Sequence, residues 1–257
     1  MSLVKELFDY REMLFSLVRK DLRSRYKASF LGFLWTFVNP LLQIIVYSVV
    51  FKVVMKVNIE NYYYYMFTGL VPWILFTASV QGGATCIIAN TNLVNKVYFP
   101  RLILPMSVVT SALVNMFYTL LVVFLVALLG NIGLSYHLVF LPIIMMIEYA
   151  HCLGISFIVA AFTVYVRDLE HILGIVLMAG FYAVPIIYNV DMLPKEALAI
   201  YRLNPMASII EAYHDILYYK RLPESHNLVT ILVLSLVSIL VGAFVFEKLQ
   251  KRFAEEL

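Results

Sequence analysis

Between residues 19 and 40 the chain changes solvent. The stretch RKDLRSRYKASFLGFLWTFVNP crowds Arg19, Lys20, Arg23, Arg25 and Lys27 together, and then no charge occurs from Leu31 to Phe51. About twenty helical residues at about 1.5 Å each cross a hydrocarbon core of about 30 Å. Loops rich in Lys and Arg stay on the cytoplasmic side. The junction therefore predicts a span over 32–51 that starts from a cytoplasmic N-terminus, with Trp35 as an interfacial anchor. Inside lipid the backbone must satisfy its own hydrogen bonds, which restricts the remaining architecture severely.

Composition extends that reading to the whole chain. It is 63% hydrophobic and 14% charged, against about 45–50% and about 25% in soluble domains. An all-α integral membrane protein is expected. The first residues mix charge with apolar side chains at helical spacing and do not look like a secretory signal. Cys86 and Cys152 fall in apolar segments and read as small buried hydrophobes. With no CxxC or HExxH pattern, no metal site is expected.

Residues 3–27 predict an amphipathic helix lying at headgroup depth, or packed on a partner. Leu3, Leu7, Tyr10, Leu14, Leu17, Val18 and Leu22 recur at three- and four-residue intervals, and charges occupy the other face. The chain thus divides into an interfacial helix over 1–31 and a transmembrane domain over 32–257. Six spans are expected: 32–51, 65–88, 102–129, 138–166, 172–188 and 228–246. Residues 189–225 differ, with Asp191, Pro194, Arg202, Pro205, Glu211, His214 and Asp215 scattered among Tyr and Leu. They predict two short helices, 195–203 and 207–219, dipping into the outer leaflet. Under this topology thirteen of the nineteen Lys and Arg residues fall on the side of the N-terminus, as the charge bias requires.

Absences narrow the function. No GxxxxGK(S/T) loop is present, so ATP is not bound that way, and no GxSxG elbow marks a nucleophile. Glu148 is the one clear acid inside a span, whereas ion-coupled carriers rely on intramembrane carboxylates and broken helices. Glu148 and His151 are three residues apart, a spacing at which helical side chains can pair, as a structural contact or as a relay.

Other residues keep two readings. Arg23, Arg25 and Lys27 suit anionic headgroups, or a lipid-linked pyrophosphate held by paired hydrogen bonds. Residues 90–98 suit a short polar helix, stiffened at Pro100 and Pro105, that transmits force, or a plain loop before a helix start. Tyr and Phe, eighteen each, suit interfacial belts and packing, or a track on which sugar rings slide. Candidates for the track are Phe117, Tyr118, Tyr149, Tyr165, Tyr182 and Tyr188.

Three segments, RKDLRSRYKASFLGFLWTFVNP, KVYFPRLILP and YVRDLEHIL, resemble the permease subunits of ABC transporters that export polysaccharides such as O-antigen, capsule and teichoic acid. The likeness runs in order along essentially the whole chain. It implies two copies of this chain and two copies of a cytoplasmic ABC ATPase, with ATP and Mg on that partner and no cofactor here. It implies a lipid-linked glycan moved outward across the inner membrane, contact with membrane lipid, and no nucleic acid. Arg19, Lys20, Arg25, Lys27, Gly32, Trp35 and Pro40 carry the opening motif. Asn90, Asn92, Asn95, Lys96, Phe99, Pro100 and Arg101 would couple to the ATPase, with Arg167 and Asp168 at a second cytoplasmic hinge. Asn204, Pro205 and Met206 fit an outer re-entrant segment, where His214 departs from the Arg the family pattern leads one to expect. The rival readings are an ABC permease for a drug or lipid, and an ion-coupled carrier.

Overall fold

Where lipid offers no hydrogen bonds, regular structure must close its own, and this chain does so with helices. The computed structural model describes residues 3–24, 30–54, 59–194, 196, 198, 201 and 203–257, and no strand occurs among them. The helices are α1 (Leu3–Asp9), α2 (Arg11–Ser24), α3 (Trp35–Ser48), α4 (Tyr62–Ala89), α5 (Thr91–Lys96), α6 (Ile103–Leu129), α7 (Leu141–Tyr165), α8 (Leu169–Tyr182), α9 (Pro205–Leu217), α10 (Ser225–Leu249) and α11 (Phe253–Glu256). The N-terminal amphipathic segment is two helices rather than one, broken at Tyr10. Of the short outer helices, the second is α9, while the expected helix over 195–203 lies largely outside the described residues.

Among the described residues, five helical stretches are long and apolar enough to cross a membrane: Gly32–Lys52, Tyr62–Ala89, Ile103–Leu129, Tyr136–Tyr165 and Ser225–Arg252. The chain is a multi-pass membrane protein. The segment expected to form a further span is a helix of 14 residues, about 21 Å long and short of the about 30 Å hydrocarbon core. It stops where Ala183 leaves helical geometry at φ −90°, ψ 2°. The irregular stretch around Pro185 follows.

α4 is the centre of the bundle, packed on α6 and α7, with α3 and α8 on its flanks and α9 against one end. α10 runs along α7, and α2 lies against α6. Helices in lipid approach closely only where side chains are small. At the α7–α10 crossing Gly154 faces Gly242, and a Cβ on Gly154 would lie 2.2 Å from the carbonyl carbon of Ser238. His151 Nδ1 and Ser238 Oγ, 3.0 Å apart, join the same pair of helices.

Hydrogen bonds between distant residues collect at two ends of the bundle. At one end Tyr62 donates to the Ile187 carbonyl at 3.0 Å, Tyr64 to Leu217 at 3.2 Å and Tyr65 to Tyr188 at 2.8 Å. Tyr218 donates to Glu60 at 2.6 Å, and the Lys220 ammonium to the Ile132 carbonyl. At the other end Tyr10 donates to Tyr98 at 3.3 Å, Tyr165 to Leu249 at 2.7 Å, and the Arg101 guanidinium to Gln250.

Candidate functional site

The end holding Arg101 forms a clasp. α5 begins where Asn90 and Thr91 turn back onto the last carbonyls of α4, Asn90 Nδ2 to Cys86 at 2.8 Å and Thr91 Oγ1 to Ile88 at 2.7 Å. It ends after six residues because Val97 is extended, at φ −129° and ψ 133°. Phe99, the residue before Pro100, is biased away from helical geometry as well, so the motif running into Pro100 yields a shorter helix than residues 90–98 predict. Asn92, Asn95 and Lys96 are exposed, while Phe99 is buried. Arg101 lies over the Phe253 ring at 5.7 Å while donating to Gln250. Cation–π contact and hydrogen bond together tie the start of α6 to the tail. Arg167 and Asp168 are exposed on the turn between α7 and α8, just beyond Tyr165 of the same clasp.

Arg19, Lys20 and Arg23 are exposed on α2, whose Val18 faces the bundle. Arg25 and Lys27 lie outside the described residues. Trp35 opens α3, half-buried.

The six track aromatics do not converge on one wall. Phe117 and Tyr182 face outward, Tyr118 packs edge-on to Phe33 at 4.9 Å, and Tyr149 shares a 2.8 Å bond with Thr110. Tyr165 belongs to the clasp, and Tyr188 donates to the Tyr182 carbonyl at 3.3 Å.

Glu148 does not pair with His151. Its Oε2 accepts from the Tyr213 hydroxyl at 2.6 Å, and its Oε1 has no partner among the described residues. His151 instead meets Ser238 and stacks on Phe76 at 5.9 Å. Three residues along a helix is not a full turn, and here the difference aims one side chain at α9 and the other at α10. The carboxyl therefore acts as a strut between α7 and α9.

A second polar site lies at the tyrosine end, in the segment whose sequence showed only scattered polar residues. Asn204 caps α9 by accepting from the Met206 amide at 3.1 Å, and Pro205 occupies the first turn, where no amide is needed. α9 then carries Glu211, His214 and Asp215 to the wall of a cavity of about 400 Å³. His214 Nε2 sits 3.1 Å from the Tyr65 carbonyl oxygen and its ring stacks on Tyr65 at 4.1 Å. A Cβ on Gly69 would lie 2.7 Å from that nitrogen, so Gly69 makes room for the histidine. Arg221 Nε donates to Asp215 Oδ1 at 2.7 Å. Burial raises the Asp215 carboxyl above its usual range, and the Arg221 bond works against the rise. The sequence signal was available: five carboxylates within 191–224 of a chain this apolar require a polar place to sit.

The fold thus defines a multi-pass helical membrane protein with one basic, clasped end and one acidic, tyrosine-rich end. Sequence comparison supplies the rest of that description. The chain belongs to the ABC-2 type transporter family, whose pattern matches residues 12–218. It is 39% identical over 257 residues to an O-antigen export system permease protein of Myxococcus xanthus, covering 99% of each chain. An O-antigen export system permease protein of Klebsiella pneumoniae is 34% identical over 253 residues, 98% of this chain and 96% of that one. The polysialic acid transport protein of Escherichia coli is 20% identical over 234 residues, 88% of this chain and 89% of that one.

Proposed function

We propose that this chain is the membrane subunit of an ATP-driven exporter that moves a lipid-linked polysaccharide outward across the inner membrane. The likeness to O-antigen export permeases along 99% of both chains carries the reading. Two copies of the chain work with two copies of a cytoplasmic ABC ATPase, which binds ATP and Mg. The clasped end faces the cytoplasm. Arg19, Lys20, Arg23, Lys96, Arg101, Arg167, Lys248, Lys251 and Arg252 all belong to segments at that end, as the positive-inside bias favours. Both termini are cytoplasmic, and the chain crosses six times. α8 completes its crossing with the irregular stretch to Tyr188, whose carbonyl accepts from Tyr65 at the far end.

Force enters at α5. Exposed Asn92, Asn95 and Lys96 meet the ATPase, and Arg101 relays the push to the tail through Gln250 and Phe253. With a second copy opposite, outward-facing Phe117 and Tyr182 become wall residues of a path between subunits.

Co-purification with an ABC ATPase tests the partnership; full uphill transport by vesicles holding this chain alone overturns it. Arg101→Ala removes a charged hydrogen bond worth about 1.5–3 kcal/mol. It is expected to leave ATP hydrolysis within about twofold while cutting export at least about tenfold, the factor 1.4 kcal/mol gives. Equal losses in both, measured as phosphate release and surface glycan, refute the coupling role.

A further inference from the structure

The cavity beside α9 lies at the tyrosine end, away from the clasp, and its chemistry is specific. Its volume of about 400 Å³ falls within the about 300–1,000 Å³ typical of small-molecule sites. Among the described residues Asp191, Glu211, Asp215 and Glu224 line it, against one guanidinium, Arg221, already bonded to Asp215. That balance repels anions. Among the described residues no three His, Cys, Asp or Glu side chains converge as metal ligands do.

The remaining walls are aromatic rings, amides, His214, His226 and Val190. Arg221 lies 4.8 Å above the Tyr219 ring and holds it in place. Asn227 Nδ2 donates to Glu211 Oε2 at 3.4 Å, a long bond that a better acceptor can replace. Tyr201 is 7% exposed, lines the cavity, and its hydroxyl has no partner among the described residues. A buried hydroxyl left without a partner is costly, so an occupant that supplies one gains from it.

The geometry points to a binding site for a neutral sugar unit at the outer end of the subunit. A sugar ring offers hydroxyl donors to Glu211 and Asp215, acceptors to Arg221 and Asn227, and a C–H face to an aromatic ring. Its hydroxyls also give the Tyr201 hydroxyl the partner it lacks among the described residues. The site rests on the exporter reading only for the source of the sugar, which is either a residue of the exported glycan or a free sugar outside the cell.

The test uses the full chain in lipid nanodiscs, with D-mannose, D-galactose and L-rhamnose as probes, read by saturation-transfer difference NMR. At least one probe is expected to bind in the millimolar range. Tyr201→Phe and Glu211→Gln, with unchanged thermal midpoints, are each expected to weaken it at least about fivefold, the loss of one hydrogen bond of about 1 kcal/mol. No binding of any probe, equal binding by both variants, or tighter binding of inorganic phosphate or calcium overturns the site. In cells the same variants sort the source: less surface glycan marks the cargo, and unchanged surface glycan marks an external sugar. Binding is read without transport. A chain that binds sugar but exports nothing sinks the exporter reading alone, and an exporter that ignores all three probes sinks the site alone.

Discussion

α4 and the first span make an instructive pair. The first span has the higher mean hydropathy, yet 17% of its apolar stretch is buried within the subunit, against 56% for α4. Apolar side chains alone do not separate them, because lipid accepts a leucine as readily as a neighbouring helix does. What separates them is shape and polarity. α4 carries Gly69, Gly83 and a row of tyrosines whose hydroxyls reach carbonyls elsewhere in the chain. The first span presents Leu42, Ile45 and Val46 outward. Between these two, small and hydroxyl-bearing residues mark the interior, and the greasier helix marks the rim.

The contrast breaks most severely at the crossing of α7 with α10. Gly154→Val places atoms where the Ser238 backbone already stands. It is expected to cut folded, monodisperse protein at least about tenfold in detergent size exclusion, since overpacking by even a methylene costs about 1–3 kcal/mol. Normal yield would mean that these helices are not locked together. A middle-sized effect is expected at the strut. Tyr213→Phe removes the donor to Glu148 and should cost about 1–3 kcal/mol of stability, seen as a lower unfolding midpoint in nanodiscs. Adding Glu148→Leu should recover most of that loss, because removing both partners of a buried bond is nearly neutral; no recovery would mean that the carboxyl has another task. The smallest effect belongs to the rim. Ile45→Ala should change the midpoint of the isolated chain by less than about 0.5 kcal/mol. A larger loss that appears only in the assembled complex would identify that face as a contact between subunits.

Much of this was legible in the sequence, and the exceptions have physical causes. The charge gap after Lys27 locates the first span, because a charge boundary is a local signal, whereas the helix expected from 207 begins two residues earlier, at Pro205, where Asn204 caps it. The helix after Asp168 was expected to be longer, since apolar residues continue through Ala183, Val184 and Ile187. The break there comes from Pro185 and from carbonyls recruited by Tyr62 and Tyr65, and no local signal announces a hydrogen bond across 120 residues or more. For the same reason the sequence offers Glu148 its neighbour His151 as a possible partner and gives no sign of Tyr213, 65 positions away. The cavity residues were visible one at a time, but only the fold brings 191 and 201 beside 211–227.

The tyrosine end has a further property. Four of its phenol bonds, from Tyr62, Tyr64, Tyr65 and Tyr218, end on main-chain oxygens, which carry no proton to gain or lose in ordinary media, and a phenol in water ionises only near about pH 10. Those four fastenings should hold when the surroundings sour, whereas the Arg221 bond to Asp215 is lost once that carboxylate takes up a proton.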